Sequence, residues 1–382
     1  MQTIPLVDVG AEFGPLIPRL EAAFREVLAS ERFIRGPEYW AFQEEAAAYL
    51  GVKRTIGVAN GTDALVLALD ALGVGPGDEV ICPAFTFYAT AESIVRRGAT
   101  PVFADIDSVT LNLDLEDTAA KVTERTGAII PVHLFGRMLD VRPLVALGVP
   151  VLEDAAQAFG APEVAQHGAI STFSFYPTKN LFCLGDGGLV ATDDEELADR
   201  VQLLSFHGSR DKAAFDPVGY NSRLDELQAA FLRIFLPELA RWNEARRAAA
   251  ARYAELGLGD LVELPRDEPG HVYHLFVCRS PERDKIRTAL AEAGIASATY
   301  YTTPLHLQPS LRYLGYEQGS LPTTEQAGAE NFSLPLWPGI PVEVQERVVD
   351  VVRSAVSVAS TGVGSREPAG SAGAGFAGAG AG

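Results

Sequence analysis

Between residues 55 and 152, short apolar β-rich runs alternate with amphipathic stretches, and this alternation limits the possible folds. The pattern predicts strands at 55–58, 79–82, 101–104, 128–133 and 150–152. Helical periodicity falls between them, at 60–73, 90–97, 115–123 and 141–147. A strand buried on both faces reads as one apolar run, and strand–helix–strand connections make neighbouring strands parallel. The expectation is therefore an α/β fold, with a mostly parallel sheet covered by helices on both faces. Ligands of such sheets gather at the carboxyl ends of the strands. NGTDAL (60–65), PAFTFY (83–88), HLFG (133–136) and EDAAQ (153–157) all fall there, which predicts that they share one site.

The rest of the chain extends this plan. Helices are expected at 16–28 and 39–50 ahead of the first strand. Strands at 172–175 and 187–191 flank a loop, and a helix follows at 195–205. A long helical pattern covers 224–256, with Pro237 expected to kink or interrupt it. Beyond it come strands at 272–278 and 296–301 and helices at 281–294 and 342–358. This divides the chain into a large domain over 1–235 and a small C-terminal domain over 236–360. Residues 361–382 are Gly-, Ala- and Ser-rich with few bulky side chains. Such a tail cannot offset its ordering entropy by burial and is expected to be disordered.

The formal net charge of -19 argues against nucleic acid or an anionic membrane surface as the main partner. The three cysteines, Cys82, Cys183 and Cys278, are odd in number and far apart. They read as reduced thiols of a cytoplasmic protein, with no disulfide framework and no metal site. The opening MQTIPLVDVG lacks a basic region followed by an apolar run, so no signal peptide is expected. No apolar run is long enough to span a bilayer.

FSFYPTKNLFCLGDGGLV (173–190) places Lys179 among aromatics, small residues and glycines. An ammonium in such surroundings is costly, so its pKa should fall and its neutral amine become available. A neutral amine on a rigid segment suits a Schiff base with a carbonyl compound, and the aldehyde of pyridoxal phosphate is the obvious candidate. The other motifs supply what that cofactor needs. Gly61 and Thr62 open a helix whose free amides and dipole favour a phosphate; the plainer reading is an ordinary helix cap. Asp154 ends an apolar strand and could keep the pyridine nitrogen protonated, or simply cap a turn. Alternation points Glu153 to the opposite face. Gln157, one turn on, could reach the ring hydroxyl. Phe87 offers a flat face for the ring, with Phe85 and Tyr88 competing and core packing as the plainer role. Ser174 could give its hydroxyl to the phosphate or face solvent. Asn221 is either a helix N-cap or a phosphate donor. His207 and His306 read as structural histidines near loops.

Together these motifs resemble the DegT/DnrJ/StrS family of pyridoxal-phosphate-dependent nucleotide-sugar aminotransferases. NGTDAL at Asn60, PAFTF at Pro83, PVHLFG at Pro131 and EDAAQAFGA at Glu153 carry the resemblance. So do SFYPTKN at Ser174, GDGG at Gly185, NSRLDELQAA at Asn221, PLHLQP at Pro304 and SLPLWPG at Ser333. The resemblance implies a fold-type I transferase, with a mixed, mostly parallel seven-stranded sheet domain and a smaller α+β C-terminal domain. It implies a homodimer with two shared active sites. It implies Lys179 as the cofactor's anchor, Asp154 on the pyridine nitrogen, Gln157 on the ring hydroxyl and Phe87 against the ring. It implies Gly61, Thr62 and Ser174 on the phosphate, joined by Asn221 of the neighbouring subunit. The implied reaction moves an amino group from glutamate, or glutamine, to a nucleoside-diphosphate keto-sugar. Cyclitol or aromatic-amine biosynthesis, or a non-catalytic regulatory role, are the alternatives on the same scaffold. A dehydratase branch carries histidine at the lysine position, and Lys179 argues against it. Two features depart from the family pattern: a short segment between Gly160 and Ser174, and Cys183 within the lysine loop.

Overall fold

The computed structural model describes residues 3–360, and the tail expected from Thr361 onward lies outside them. Among the described residues, seven strands cross the larger part of the molecule. They are β1 (Arg54–Val58), β2 (Glu79–Pro83), β3 (Thr100–Ala104), β4 (Thr126–Ile129), β5 (Leu152–Asp154), β6 (Ile170–Ser174) and β7 (Gly188–Thr192). The hydrogen-bonded orders are β3-β2-β4 and β5-β6-β7-β1. Parallel bridges from Ile129 to Val151 and from Val132 to Asp154 join the two into one seven-stranded array. β7 alone runs against its neighbours β1 and β6. The sheet is therefore mixed and mostly parallel, as the resemblance implies.

The strands are buried on both faces, and their alternation separates two cores. Ile56 and Val58 of β1 and Val190 of β7 pack with Leu65 and Leu69 of the helix Gly61–Ala71. Phe173 of β6 and Leu189 and Ala191 of β7 pack with Tyr39 and Phe42 of the helix Pro37–Leu50. Phe231 and Phe235 of the helix Glu226–Phe235 complete that second core.

The helix Pro37–Leu50 begins after Gly36, which has no side chain to cap it. A distant carboxylate does so instead. Glu226, itself buried, accepts from the amides of Glu38 at 2.7 Å and Tyr39 at 3.0 Å. The long helical pattern at 224–256 starts at this same Glu226. A 3-10 turn, Leu236–Glu238, interrupts it at Pro237 before it resumes as Leu239–Glu255.

The smaller C-terminal part corrects two expected strands. The run at 272–278 forms strand only at its end, in β8 (Phe276–Arg279). Ahead of it the backbone turns aside, because the amide of Val272 donates to the carbonyl of Gly136 at 2.9 Å. The run at 296–301 is not a strand; only Ala298 forms a bridge, to Ser333. Tyr300 N instead donates to the Asn331 side chain at 2.8 Å. The partner of β8 is a strand the sequence did not announce, β9 (Asn331–Leu334), paired antiparallel. Helices Arg283–Glu292 and Val342–Ser360 complete this α+β part, with Tyr253, Phe276, Phe332, Trp337 and Val352 in its core.

The cap from Glu226 predicts a graded loss of stability. Glu226→Ala leaves two first-turn amides without an acceptor and lowers stability by about 2–3 kcal/mol. Glu226→Gln keeps one carbonyl acceptor and should lose about half as much. Chemical denaturation of the three proteins under one condition checks the order; an unchanged Glu226→Ala midpoint contradicts it.

Candidate active site

The carboxyl ends of the parallel strands meet along one edge of the sheet. Asn60 follows β1, Asp154 ends β5 and Ser174 ends β6. β7 enters at this edge, where Gly188 pairs with both Val58 and Ser174. Two glycines let the NGTDAL turn lie directly on the strands. A Cβ on Gly188 would stand 2.5 Å from the Asn60 carbonyl, and one on Gly61 would stand 2.7 Å from the Ser174 Cβ. The Asn60 side chain accepts from the amide of Asp63 at 2.8 Å. A helix start has no intrahelical acceptor for its first amides, so those of Gly61 and Thr62 remain for an outside acceptor. Gly61, Thr62 and Ser174 thus come together. The Ser174 hydroxyl is half-buried and accepts from Tyr176 N at 3.3 Å.

The Lys179 loop is fixed on both sides. Lys179 N donates to the Tyr176 carbonyl at 2.8 Å, and Cys183 N donates to the Phe175 carbonyl at 2.7 Å. Leu181, Phe182 and Cys183 sink into the core. Buried Asn180 donates to Asn243 Oδ1 at 2.7 Å and to the Val272 carbonyl at 2.9 Å. Desolvation pushes the Lys179 amine down to about 8, with the Asp154 charge opposing. Its Nζ lies 3.4 Å from His274 Nε2.

Asp154 and Glu153 point to opposite faces, as strand alternation requires. Asp154 is buried; it accepts from the Thr90 hydroxyl at 2.9 Å and from Ala156 N at 3.2 Å. Burial pushes its carboxyl up, against those two hydrogen bonds and the Lys179 charge. Glu153 meets His133 Nε2 at 2.8 Å and Gly168 N at 2.7 Å. Burial alone would raise its carboxyl, but the His133 contact and the Gly168 amide outweigh it and hold it low.

Gln157 accepts from Phe135 N at 2.8 Å and donates to the Tyr301 hydroxyl at 3.4 Å. Of the three competing aromatics, Phe85 is fully buried and Tyr88 bonds Ser310 through its hydroxyl at 2.8 Å. Phe87 remains 58 % exposed, with its ring centroid 6.3 Å from that of Tyr301.

Asn221 stands apart from this group. It is exposed and accepts from Arg223. It is not the helix cap; Asp225 occupies that position ahead of Glu226–Phe235. Its neighbour Ser222 accepts from Ala59 N at 3.1 Å, which anchors the segment beside the end of β1. His207 is part of a turn, its amide donating to the Tyr220 carbonyl at 2.8 Å. His306 is buried against Glu325 at 3.1 Å, which fits a structural histidine. Sequence reasoning missed Thr90, Asn180, His274 and Tyr301. Thr90 is hidden in a helical pattern. His274 and Tyr301 lie in runs that read as strands, and the contacts of Val272 with Gly136 and Asn180 turn the first of these toward the lysine.

The sequence profile of the DegT/DnrJ/EryC1/StrS aminotransferase family matches residues 17–353. The chain is 47% identical over 362 residues to a "Pleiotropic regulatory protein" of Geobacillus stearothermophilus, covering 91% of this chain and 97% of the relative. It is 44% identical over 360 residues to the UDP-N-acetyl-3-dehydro-alpha-D-glucosamine 3-aminotransferase of Acidithiobacillus ferrooxidans, covering 92% and 97%. The crystal structure of S. venezuelae DesV in complex with a ketimine intermediate superposes with a TM-score of 0.89 at 41% identity. That match covers 93% of this chain and 98% of DesV.

The environment of Lys179 predicts its reactivity. In cofactor-free full-length protein, acylation of Lys179 followed by peptide mass spectrometry should show a midpoint near pH 8. Below that midpoint the amine is charged and unreactive. Asp154→Asn removes the charge that favours the ammonium form and should move the midpoint lower. A wild-type midpoint near the ordinary lysine value, about 10.4, would contradict the desolvated environment.

Proposed function

The chain belongs to the DegT/DnrJ/EryC1/StrS aminotransferase family, and from that membership we propose that it moves an amino group from glutamate to a nucleoside-diphosphate keto-sugar, with pyridoxal phosphate as cofactor. The observation that carries the proposal is the half-buried Lys179 amine. It is pushed down by desolvation and lies within reach of the Asp154 charge, at the strand ends where ligands of such sheets bind.

The residues fit the cofactor. Glycines at 61 and 188 open a cradle that a Cβ would fill, beside the free amides of a helix start. Gly61 and Thr62, through those amides, and Ser174, through its hydroxyl, would hold the phosphate. Phe87 would lie against the ring and Gln157 would reach the ring hydroxyl. Asp154, already buried and oriented by Thr90, would keep the pyridine nitrogen protonated. Bound pyridoxal phosphate supplies an aldehyde for amines and a ring that takes up electrons from a carbon losing its proton. The chain supplies the proton handling. Lys179 Nζ, as free base, would take the proton from the amino donor's α-carbon and, as the resulting ammonium, would deliver it to the cofactor's aldehyde carbon, so that the amino group stays behind. An amine poised near neutral pH serves both directions of that transfer. Asp154 stabilises the charge that develops in between.

We further propose a homodimer in which Asn221 of one chain completes the phosphate site of the other. The exposure of Asn221 leaves it available to a second copy, and one acidic chain needs more donors around a phosphate. The buried, unpaired thiols Cys82, Cys183 and Cys278 accord with a reducing cytoplasm as its compartment. Among the described residues, no helix is long and apolar enough to cross a membrane. A regulatory role is the second reading, because one close relative bears a regulatory name.

Borohydride reduction of the full chain loaded with pyridoxal phosphate should fix the cofactor to the Lys179 peptide, and Lys179→Ala should abolish both trapping and turnover. Trapping on another lysine refutes the assignment. A panel of nucleotide keto-sugars with glutamate, read by mass spectrometry, should yield an aminated product. Trapping at Lys179 without amination of any member favours the regulatory reading.

The shared site has its own test. Asn221→Ala should weaken cofactor binding on the order of tenfold to a hundredfold. Lys179→Ala and Asn221→Ala chains, mixed under subunit exchange at limiting cofactor, should recover activity toward roughly a quarter of all sites. No recovery, with exchange verified by native mass spectrometry, rules out Asn221 as a donor to the partner's site.

A further inference from the structure

His274 is part of no motif in the sequence, yet it is the side chain in hydrogen-bond reach of the Lys179 amine. It is buried in the segment that leaves β8 to meet Gly136. That approach is tight: a Cβ on Gly136 would stand 2.8 Å from His274 N. The imidazole is thereby held in place from its own backbone. Three charged groups bear on the His274–Lys179 pair. Lys179 comes from the loop after β6, Asp154 from the end of β5, and Arg246 from the helix Leu239–Glu255.

The two ring nitrogens stand in different surroundings. Nε2 faces Lys179 Nζ at 3.4 Å. Nδ1 is buried and has no hydrogen-bond partner among the described residues. Arg246 is fully buried with Nε and Nη1 also unpaired, and its charge bears on the imidazole. A proton on Nδ1 would be a buried donor with no acceptor, whereas a proton on Nε2 meets the lone pair of the Lys179 amine. Burial, and then the charges of Lys179 and Arg246, keep the ring neutral, well below the ordinary histidine range. A neutral ring without a proton on Nδ1 carries it on Nε2.

We propose that His274 is a positioning residue that donates from Nε2–H to the lone pair of Lys179 and favours the uncharged form of the amine over the ammonium when the amine is free. The functional part of this inference rests on Lys179 being the working amine of the proposed transaminase; the hydrogen bond does not. The direction matters chemically. A donor facing the amine stabilises the free base and opposes the ammonium. An acceptor would do the reverse. The free base is the form able to take a proton or attack a carbonyl.

The test uses full-length protein loaded with pyridoxamine phosphate, so that the lysine is unattached. Nitrogen NMR of histidine-labelled wild-type protein, with His274→Gln for assignment, reads the tautomer of His274. The expected result is a protonated Nε2 and a bare Nδ1; a protonated Nδ1 overturns the proposal. Acylation of Lys179 against pH gives the second measurement. His274→Leu removes the donor and should raise the midpoint by about half to one unit. His274→Gln, which keeps an amide donor at similar reach, should stay near wild type. A midpoint that falls or stays unchanged in a folded His274→Leu protein also overturns it. If that variant does not fold, the wild-type tautomer decides alone. Absence of borohydride trapping at Lys179 would sink the transaminase reading while leaving the tautomer result intact.

Discussion

Moving a lysine amine out of water disfavours its charge, and at Lys179 the buried Asp154 is the charge that opposes this. The balance between the two sets what the amine can do. Without desolvation it would remain an ammonium up to the ordinary lysine value of about 10.4. With desolvation and no carboxylate, it would lose the field that lets it carry a proton briefly. Both groups sit on short elements whose neighbours are fixed by the sheet. Asp154 is the last residue of a three-residue strand, and the lysine loop leaves the adjacent strand. Parallel pairing of β5 with β6 is therefore what brings the two charges to one edge.

The glycines act at the same edge by absence of side chains. Gly188 and Gly61 do not serve through unusual backbone angles; they serve because another backbone or side chain occupies the space of a Cβ. β7, the antiparallel strand, begins at this point of contact. Its reversed direction lets one residue, Gly188, lie between the ends of β1 and β6. A parallel strand in that place would end at this edge and send its connection across it. The departure from parallel order and the glycine are two parts of one solution to crowding.

Much of this was legible in the sequence. Short, mostly apolar strands alternating with helices leave little choice of fold. A strand ending in Glu-Asp also fixes which carboxylate faces which side. The motif lysine and its glycines were visible because their chemistry is unusual for their surroundings. What was not legible shares a physical cause. His274, Tyr301 and Asn180 reach the site through contacts between residues far apart in the chain. In a window of sequence, VYHLFVC (272–278) reads as strand, since most of its side chains are apolar, β-branched or aromatic. Tertiary hydrogen bonds, from Val272 N to the Gly136 carbonyl and from Asn180 to the Val272 carbonyl, withdraw its first half from the sheet. Asn221 as a helix cap failed similarly. The helix starts five residues after Asn221, at Glu226, whose side chain caps a different helix.

The helix Leu239–Glu255 explains how the lysine loop is tied to the rest of the chain. Residues three apart on a helix share a face, and Asn243 and Arg246 are such a pair. Asn243 holds Asn180, the residue after the lysine, while the charge of Arg246 bears, after burial and Lys179, on His274, the residue facing the amine. The same helix buries Trp242 in the core of the large sheet and Tyr253 in the core of the C-terminal part. Its guanidinium is in turn held by Glu12, 2.8 Å away and equally buried. Burial pushes that carboxyl up to about 7, against the pull of Arg246. A charge pair this deep contributes little net stability, because desolvation offsets most of its attraction. Its effect is instead to fix the middle of the helix against the N-terminal segment, so that Arg246 keeps its position relative to His274. A displacement of this helix would move both supports of the lysine together. The reactivity of Lys179 is thus coupled to the packing between the two cores as well as to the groups that touch it.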